Sequence, residues 1–252
     1  MTDYLLVHGA AQGAWSWGRV WGLMTAPEEH PPRLYTSRRA NKVFPLDLPG
    51  HGADAREDTG AVLLDECVHS IVRAVERQGL RDLVLVGHGF AGSLVLEAAG
   101  QLPSPPKRIV LVAGIVPDNH KSMQTVLPLF ARSCFQLMTT LNRLIGRDVR
   151  IPTSVIGRYL CNGLSPMEIV QQLGFFGPLP TRVLKTKVDR EETGVPCPLS
   201  YVVLTRDRIL APALQRRMAG RLASPEIIEL DSGHQATQSH SRELAEILLR
   251  YA

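Results

Sequence analysis

Short apolar runs alternate along the chain with longer segments whose apolar residues recur at helical spacing. Six short runs, rich in aliphatic residues, predict strands at residues 4–7, 43–46, 83–86, 109–112, 199–204 and 226–230. Helical spacing predicts helices at residues 16–24, 61–78, 90–100, 212–222 and 241–251. Strands that alternate with helices are typical of a parallel sheet with crossover helices. We therefore expect an α/β fold with a mostly parallel sheet of about six strands and helices on both faces.

Two helix ends and one long loop carry local signals. Ser16 is a plausible N-cap for the first helix, and Gly79 suits the C-cap of the second. Residues 25–42 are polar and include Pro27, Pro31 and Pro32, which predicts a loop.

The alternation breaks between residues 117 and 198. Helix-like stretches at 124–145, 153–161 and 166–173 are separated there by Pro and Gly. An insertion at the carboxyl ends of the strands would cover a site at that edge. We expect a core of residues 1–117 and 196–252 and a helical lid of residues 118–195. The predicted lid has several apolar side chains, which suggest a hydrophobic or aromatic ligand. They are those of Phe130, Phe135, Leu137, Phe175 and Phe176.

Composition excludes several classes of protein. The 252 residues, 44% hydrophobic and 21% charged, suit one globular domain. The net charge of +4 is scattered, so we expect no nucleic-acid partner. The four cysteines lie far apart, and neither a metal site nor a disulfide framework is indicated. No phosphate loop or dinucleotide fingerprint predicts a cofactor. With no signal peptide or membrane span in the sequence, we expect a cytoplasmic monomer or homodimer that has no membrane partner and acts on a small molecule.

The candidate chemistry begins with a turn that lacks a side chain. Residues 82–92 have the pattern of a buried strand, a sharp turn and the start of a helix. A serine nucleophile stands on such a turn in the G-x-S-x-G elbow, but this chain has Gly87-His88-Gly89-Phe90-Ala91. The alternative is a plain tight turn that needs glycine for its backbone conformation.

Two other loops follow predicted strands and should reach the same edge of the sheet. The glycine-rich loop 8–15 would let backbone N–H groups approach a substrate oxygen, although such loops also serve as simple connections. Asp207 and His234 follow two successive strands, and Asp207 would orient the His234 imidazole. A nucleophile position, an acid and a histidine in this order match the chain order of a hydrolase triad.

These motifs together resemble the α/β-hydrolase superfamily over nearly the full length of the chain. The likeness rests on five segments: 7–15, 47–52, 87–92, 205–208 and 230–234. It is strongest to the compact branch of bacterial carboxylesterases, plant methyl esterases and hydroxynitrile lyases. The resemblance implies that Ala10 and Phe90 supply oxyanion N–H groups, that Asp207 is the acid and that His234 is the base. Gly89 stands where the family has its nucleophilic serine.

Further residues are candidates for substrate contact. They are Ala11, Trp15, His88 and Tyr159. The alternative role of His88 is hydrogen bonding within the fold, and that of Trp15 is packing in the core. Ser93 lies one helical turn beyond Gly89 and is a weaker replacement for the nucleophile. The predicted lid contains His120, Tyr159 and Cys161, for which the alternatives are contact with the substrate and packing within the lid.

Gly89 leaves three hypotheses open. The first is an enzyme in which His234 and Asp207 act as a general base without an acyl-enzyme, on a small hydrophobic ester, lactone or β-keto compound. Members that resemble methylketone synthase also lack the serine and act on β-keto acids. The second is a non-catalytic homologue that binds a small molecule. The third is a serine carboxylesterase disabled by an engineered change of Ser to Gly.

Overall fold

The computed structural model describes residues 1–26, 38–55, 58–189, 195 and 197–252, without the side chains of Phe130 and Arg143. Most of the loop predicted at residues 25–42, including Pro27, Pro31 and Pro32, lies outside the described residues. So does most of the end of the predicted lid, at residues 190–194.

Six parallel strands form one sheet in the order β2-β1-β3-β4-β5-β6. They are β1 Tyr4–Val7, β2 Val43–Leu46, β3 Val84–His88, β4 Arg108–Val112, β5 Leu199–Leu204 and β6 Glu226–Leu230. The predicted parallel α/β sheet is confirmed. Every residue of β1, β3 and β5 is buried, as expected for strands covered on both faces.

Helices cover both faces of the sheet. They are α1 Gly18–Thr25, α2 Leu64–Gln78, α3 Ala91–Ala99, α4 Leu129–Leu144, α5 Thr153–Val155, α6 Pro166–Leu173, α7 Thr181–Lys185, α8 Pro212–Ala219, α9 Ala236–Ser239 and α10 Ser241–Leu249. Helix α1 packs against α10, and α2 packs against α3. A π-helical turn, Ile156–Leu160, continues α5.

One predicted helix end is confirmed and the other is wrong. Gly79 ends α2 with a φ of 57°, the left-handed conformation that glycine adopts without steric cost. Ser16 is not the N-cap of α1, because a 3₁₀ turn, Ala14–Trp17, precedes that helix. The Ser16 hydroxyl donates instead to the carbonyl of Gly13, 2.9 Å away, and so closes the tight turn.

The segment between β4 and β5 contains α4 to α7 and a second apolar cluster. Pro128 divides the helix predicted at residues 124–145 into a 3₁₀ turn, Met123–Val126, and α4, since proline lacks the N–H that a continuous helix needs. Phe135, Ile156, Leu160 and Phe176 are buried together in this cluster, which also contacts Ala11. The limits of the lid at residues 118 and 195 stay a prediction.

The turn after β3 depends on very close backbone packing. A Cβ atom at Gly92, in the first turn of α3, would lie 2.7 Å from the Cα of Gly114 and 2.8 Å from the nitrogen of Ile115. Both neighbours are backbone, so neither can rotate away. Helix α3 therefore approaches the loop after β4 as closely as only glycine allows.

We expect Gly92→Ala to lower the free energy of unfolding by about 1–3 kcal/mol, the usual cost of overpacking a core. Gly22→Ala, in α1, is the matched control because nothing lies within 4 Å of the added Cβ. That control should raise stability by about 0.5–1 kcal/mol, since alanine favours helices. Urea unfolding of both variants measures the difference; equal stabilities would contradict the packing argument.

Candidate functional site

Asp207 and His234 meet at the carboxyl edge of the sheet. Asp207 follows β5 and His234 follows β6, and both side chains are buried. The His234 Nδ1 lies 2.7 Å from the Asp207 Oδ2. Because a carboxylate accepts this bond, Nδ1 carries the proton and Nε2 is left as the basic nitrogen of a neutral ring. The pair has the arrangement of an oriented general base.

The Asp207 carboxylate is held by several donors besides His234. Its Oδ1 accepts from the backbone N–H of Ile209 at 2.8 Å and of Leu210 at 3.0 Å. Its Oδ2 also accepts from the Gln215 Nε2 at 3.1 Å. A buried charge needs such partners, and together they fix the direction in which Asp207 faces His234.

Gly89 occupies the sharp turn directly after β3. Its φ is 56°, in the left-handed region. Its N–H donates to the Val112 carbonyl at 3.1 Å, and its own carbonyl accepts from the Ile115 N–H at 2.7 Å. A Cβ at residue 89 would lie 3.7 Å from the His234 Nε2, the nearest atom outside its two chain neighbours. A side chain on this turn would therefore reach the basic nitrogen, and glycine leaves that space open.

Two backbone N–H groups border the same space. Ala10 and Phe90 both line a cavity that also contains Gly89 and His234. Among the hydrogen bonds of the described residues, none uses the N–H of Ala10 or of Phe90. Such a pair can stabilise negative charge that develops on a substrate oxygen. Their assignment as oxyanion donors stays a prediction.

The loop that carries Ala10 is fixed by side chains at both of its ends. The His8 Nε2 accepts from the Leu48 N–H at 3.1 Å, and the Gln12 Oε1 accepts from the Gly9 N–H at 3.1 Å. Asp47, just after β2, accepts from the Ala14 N–H at 2.6 Å. The loop is thereby anchored to the end of a neighbouring strand, which limits its movement beside the cavity.

The cavity has a volume of about 200 Å³ and is mainly aliphatic. Its polar groups belong to Gln12, Gln124 and His234, besides the backbone beside Gly89. The apolar lining comes from the core and from the segment between β4 and β5: Ile115, Met123, Leu127, Phe135, Ile151, Val155, Leu160, Leu179, Leu184, Ile209 and Leu210. Of the apolar lid residues noted in the sequence, Phe135 lines the cavity. The arrangement suits a molecule with one polar carbonyl end and an apolar remainder.

None of the four residues predicted to contact substrate is among the described residues that line this cavity. Ala11 is buried, and its carbonyl accepts from the Gly177 N–H at 2.8 Å. The Trp15 ring packs against Phe175 and Phe176, with centroids 5.5 and 5.6 Å apart. Their role in substrate binding stays a prediction.

His88 and Tyr159, the other two, differ in exposure. His88 is buried, and its Nε2 donates to the His234 carbonyl at 3.1 Å, which supports the position of the base. Tyr159 lies on the π-helical turn and is partly exposed, beside the Arg158 guanidinium.

Ser93, the candidate replacement for the nucleophile, and Cys161, from the predicted lid, are both engaged or buried away from the cavity. The Ser93 hydroxyl is buried and donates to the Ile115 carbonyl at 2.8 Å. Burial raises the pKa of the Cys161 thiol to about 11, which disfavours a thiolate. Neither residue lines the cavity.

Sequence reasoning missed Gln215 and Gln12. Gln215 is fully buried on α8, where it contacts Asp207 and also the backbone of Leu204. A glutamine within a short helix carries no sequence signal that distinguishes this role from a surface position. Gln12 lies within the glycine-rich loop 8–15, but only its hydrogen bond to the Gly9 N–H shows that it stabilises the loop.

Among the described residues, no group of three or more His, Cys, Asp or Glu is placed to hold a metal ion. No helix within the described ranges is long and apolar enough to cross a membrane.

Three histidines near the site are buried as neutral rings. Burial, and to a smaller extent the nearby His51, lower the pKa of His8 to about 3. Burial is also the main reason that the pKa values of His51 and His88 lie below the usual value. The unfolded chain takes up these protons below about pH 6.5, whereas the folded chain resists them. Stability is therefore complete above that pH and is lost as the pH falls toward the folded-state values.

We expect the free energy of unfolding to fall, on the order of a few kcal/mol, between neutral pH and about pH 4. The fall should be smaller in His51→Asn, which also removes a neighbour that opposes protonation of His8. His69→Gln, at an exposed position on α2, serves as the control and should retain the full fall. Urea unfolding across this pH range decides; a fall of the same size in His51→Asn would contradict the explanation.

Comparisons with known proteins agree with this architecture. Residues 4–247 match the Alpha/beta hydrolase family. Methylesterase 9 of Arabidopsis thaliana is 25% identical over 264 residues, which cover 100% of this chain and 98% of that protein.

Two solved structures have the same fold. One is an extracellular alpha/beta-hydrolase from a Paenibacillus species, described as sharing structural and functional homology with tobacco Salicylic Acid Binding Protein 2. It has a TM-score of 0.85 and 21% identity, over 100% of this chain and 99% of its own. Tomato Methylketone Synthase I, complexed with 2-tridecanone, has a TM-score of 0.74 and 17% identity, over 99% and 96%. Since the family match spans nearly the whole sequence, the chain belongs to the alpha/beta hydrolase family.

Proposed function

We propose that this protein is an enzyme that acts on a small, neutral, hydrophobic carbonyl compound by general-base catalysis, without a serine nucleophile. The observation that carries the proposal is the open position at Gly89. A Cβ there would be 3.7 Å from the His234 Nε2, while Asp207 holds the other ring nitrogen at 2.7 Å. The base is thus retained and oriented, although the side chain it would activate is replaced by space for a small reactant.

For an ester or lactone, the reactant in that space is water. The His234 Nε2 takes a proton as the water oxygen forms a bond to the carbonyl carbon. The displaced electron pair moves onto the carbonyl oxygen, which the N–H groups of Ala10 and Phe90 stabilise. The carbonyl then reforms, the bond to the leaving oxygen breaks, and that oxygen receives the proton from His234.

A β-keto compound would use the same groups differently. The His234 Nε2 would take the acidic proton from the carbon between the two carbonyls. The resulting enolate oxygen would then lie against the same N–H groups. In both reactions the buried Asp207 stabilises the imidazolium while it exists.

The lining of the cavity supports a neutral substrate. No Lys, Arg, Asp or Glu is among the described residues that line it. A charged group moved from water into this aliphatic space would lose its solvation without gaining a fixed counterion. The complex of tomato methylketone synthase I with 2-tridecanone, a neutral ketone with a long apolar chain, supports the same class of ligand by analogy of fold. A cytoplasmic location, and a monomeric or homodimeric state, stay predictions.

Replacing His234 tests the base. On a panel of neutral esters and lactones with apolar acyl groups, His234→Ala should lose about 10²–10⁴-fold in turnover, the usual range for removing a general base. Asp207→Asn should also lose activity, because it disturbs the orientation of the ring. His69→Ala, at an exposed position on α2 outside the cavity lining, is the control and should leave turnover unchanged.

Steady-state kinetics and isothermal calorimetry separate the hypotheses. Turnover that survives His234→Ala would rule out the general-base mechanism. Tight binding of a ligand with no product, in the unaltered protein, would instead favour a non-catalytic binder.

Restoring a hydroxyl at residue 89 tests the lost nucleophile. We expect the protein as it stands to resist a fluorophosphonate probe, whereas Gly89→Ser should be labelled, since its hydroxyl would lie within reach of the His234 Nε2. Gly89→Ala is the matched control, with the same added Cβ and no hydroxyl, and should remain unlabelled. Both variants should lose about 1 kcal/mol of stability, because the turn has a left-handed φ.

Intact-mass spectrometry measures the labelling. Labelling of Gly89→Ser that persists in a double variant with His234→Ala would show that the histidine does not activate this position. Labelling of the unaltered protein would reveal a different serine nucleophile and would overturn the proposed mechanism.

A further inference from the structure

The outward face of α4 carries several exposed leucines. Leu129, Leu137, Leu141 and Leu144 are between 52% and 81% exposed. Their spacing places them on one side of the helix, along about 22 Å of its length. We call these four residues the outer stripe. Ser133, Gln136 and Thr140 are also exposed on this face. Four large exposed apolar side chains beside them still form an apolar surface that a helix covering a core does not need.

The opposite side of the same helix faces inward. Phe135 and Thr139 are buried, and Phe135 lines the cavity beside His234. Helix α4 therefore has apolar residues on both sides, and the two apolar surfaces lie about one helix diameter apart, roughly 10 Å. The inner surface is accounted for by packing, and the outer stripe is not.

The sequence around the outer stripe carries positive charge without negative charge. Between Asp118 and Asp148 there is no acidic residue, whereas four residues are basic: Lys121, Arg132, Arg143 and Arg147. The two flanking carboxylates are engaged elsewhere. Asp148 accepts from the backbone N–H groups of Thr59 and Gly60, and Asp118 pairs with the Arg221 guanidinium at 2.7 Å. Arg147 is exposed just beyond the end of α4.

We propose that the outer stripe docks on the surface of an anionic lipid bilayer, with α4 lying parallel to it. Apolar residues would enter the boundary between headgroups and acyl chains, and the neighbouring cations would bind the anionic headgroups. An apolar substrate that collects in lipid would then be concentrated beside the helix whose inner face lines the cavity.

The composition of the surface favours lipid over protein. A second copy of the chain would bring two basic surfaces together, which opposes self-association. An anionic bilayer matches both the leucines and the charge.

This proposal goes beyond the chemistry at the site and revises one expectation. The sequence predicted no membrane partner because it contains no apolar run that could span a bilayer. Spanning and surface docking have different requirements, since docking needs one apolar face and nearby cations rather than a long apolar segment.

Vesicle flotation tests the docking surface. The unaltered protein should float with vesicles in which about a third of the phosphatidylcholine is replaced by phosphatidylglycerol, and should bind pure phosphatidylcholine at least about tenfold more weakly. High salt should reduce binding to the anionic vesicles, because it screens the charge. The triple variant Leu137→Gln/Leu141→Gln/Leu144→Gln should lose at least about tenfold in binding to them.

Two further variants test whether binding depends on this particular apolar surface and on the charge beside it. Ile227→Gln removes an exposed apolar residue from β6 and should bind vesicles as the unaltered protein does. Arg147→Glu leaves every leucine in place and should still lose affinity for anionic vesicles. Equal binding by the triple variant, or no preference for anionic lipid, would overturn the proposal. So would light scattering that shows a dimer of the unaltered protein and a monomer of the triple variant, because the stripe would then join two chains.

Discussion

A parallel sheet brings the carboxyl ends of all its strands to one edge, and the rest of this structure depends on that constraint. The loops that leave the edge are crowded and largely buried, so their polar groups need partners within the protein. Asp47 and His8 accept N–H groups from neighbouring loops, and His88 donates to the carbonyl of His234. The bonds that satisfy these loops also fix the positions of Ala10, Gly89 and His234.

The apolar lining of the cavity affects the strength of the polar interactions at the carboxyl edge of the sheet. An aliphatic lining excludes water from most of the cavity, which strengthens the interactions of the few dipoles that remain. The Asp207 carboxylate is buried close to that lining, but four hydrogen bonds compensate for its loss of solvation. A charged pair of this kind is expensive to maintain, and its retention beside Gly89 is more consistent with a reaction than with packing alone.

The sequence predicted the sheet far better than it predicted the lid. Strands β1, β2, β5 and β6 begin and end at the predicted residues, because short apolar runs between turn residues are a local signal. The helix predicted at residues 124–145 was interrupted by Pro128, and Ser16 bonded to Gly13 rather than capping a helix. The order of the motifs also predicted correctly that Asp207 and His234 lie together. Periodicity could not reveal which lid residues turn inward, or that Gln215 braces Asp207, since both depend on contacts between distant segments.

Gly89 also has a consequence for how this chain can change over time. A side chain in a left-handed turn stores strain, and enzymes with such a turn offset that strain elsewhere in the fold. Glycine adopts the conformation freely, so the strain is released and the fold gains a margin of stability. Destabilising substitutions elsewhere can then be tolerated, until the fold is no longer stable enough to accept a side chain at the left-handed turn. If an ancestor of this chain carried a serine at this turn, its loss would in this way become harder to reverse with each generation, even though Asp207 and His234 stay in place.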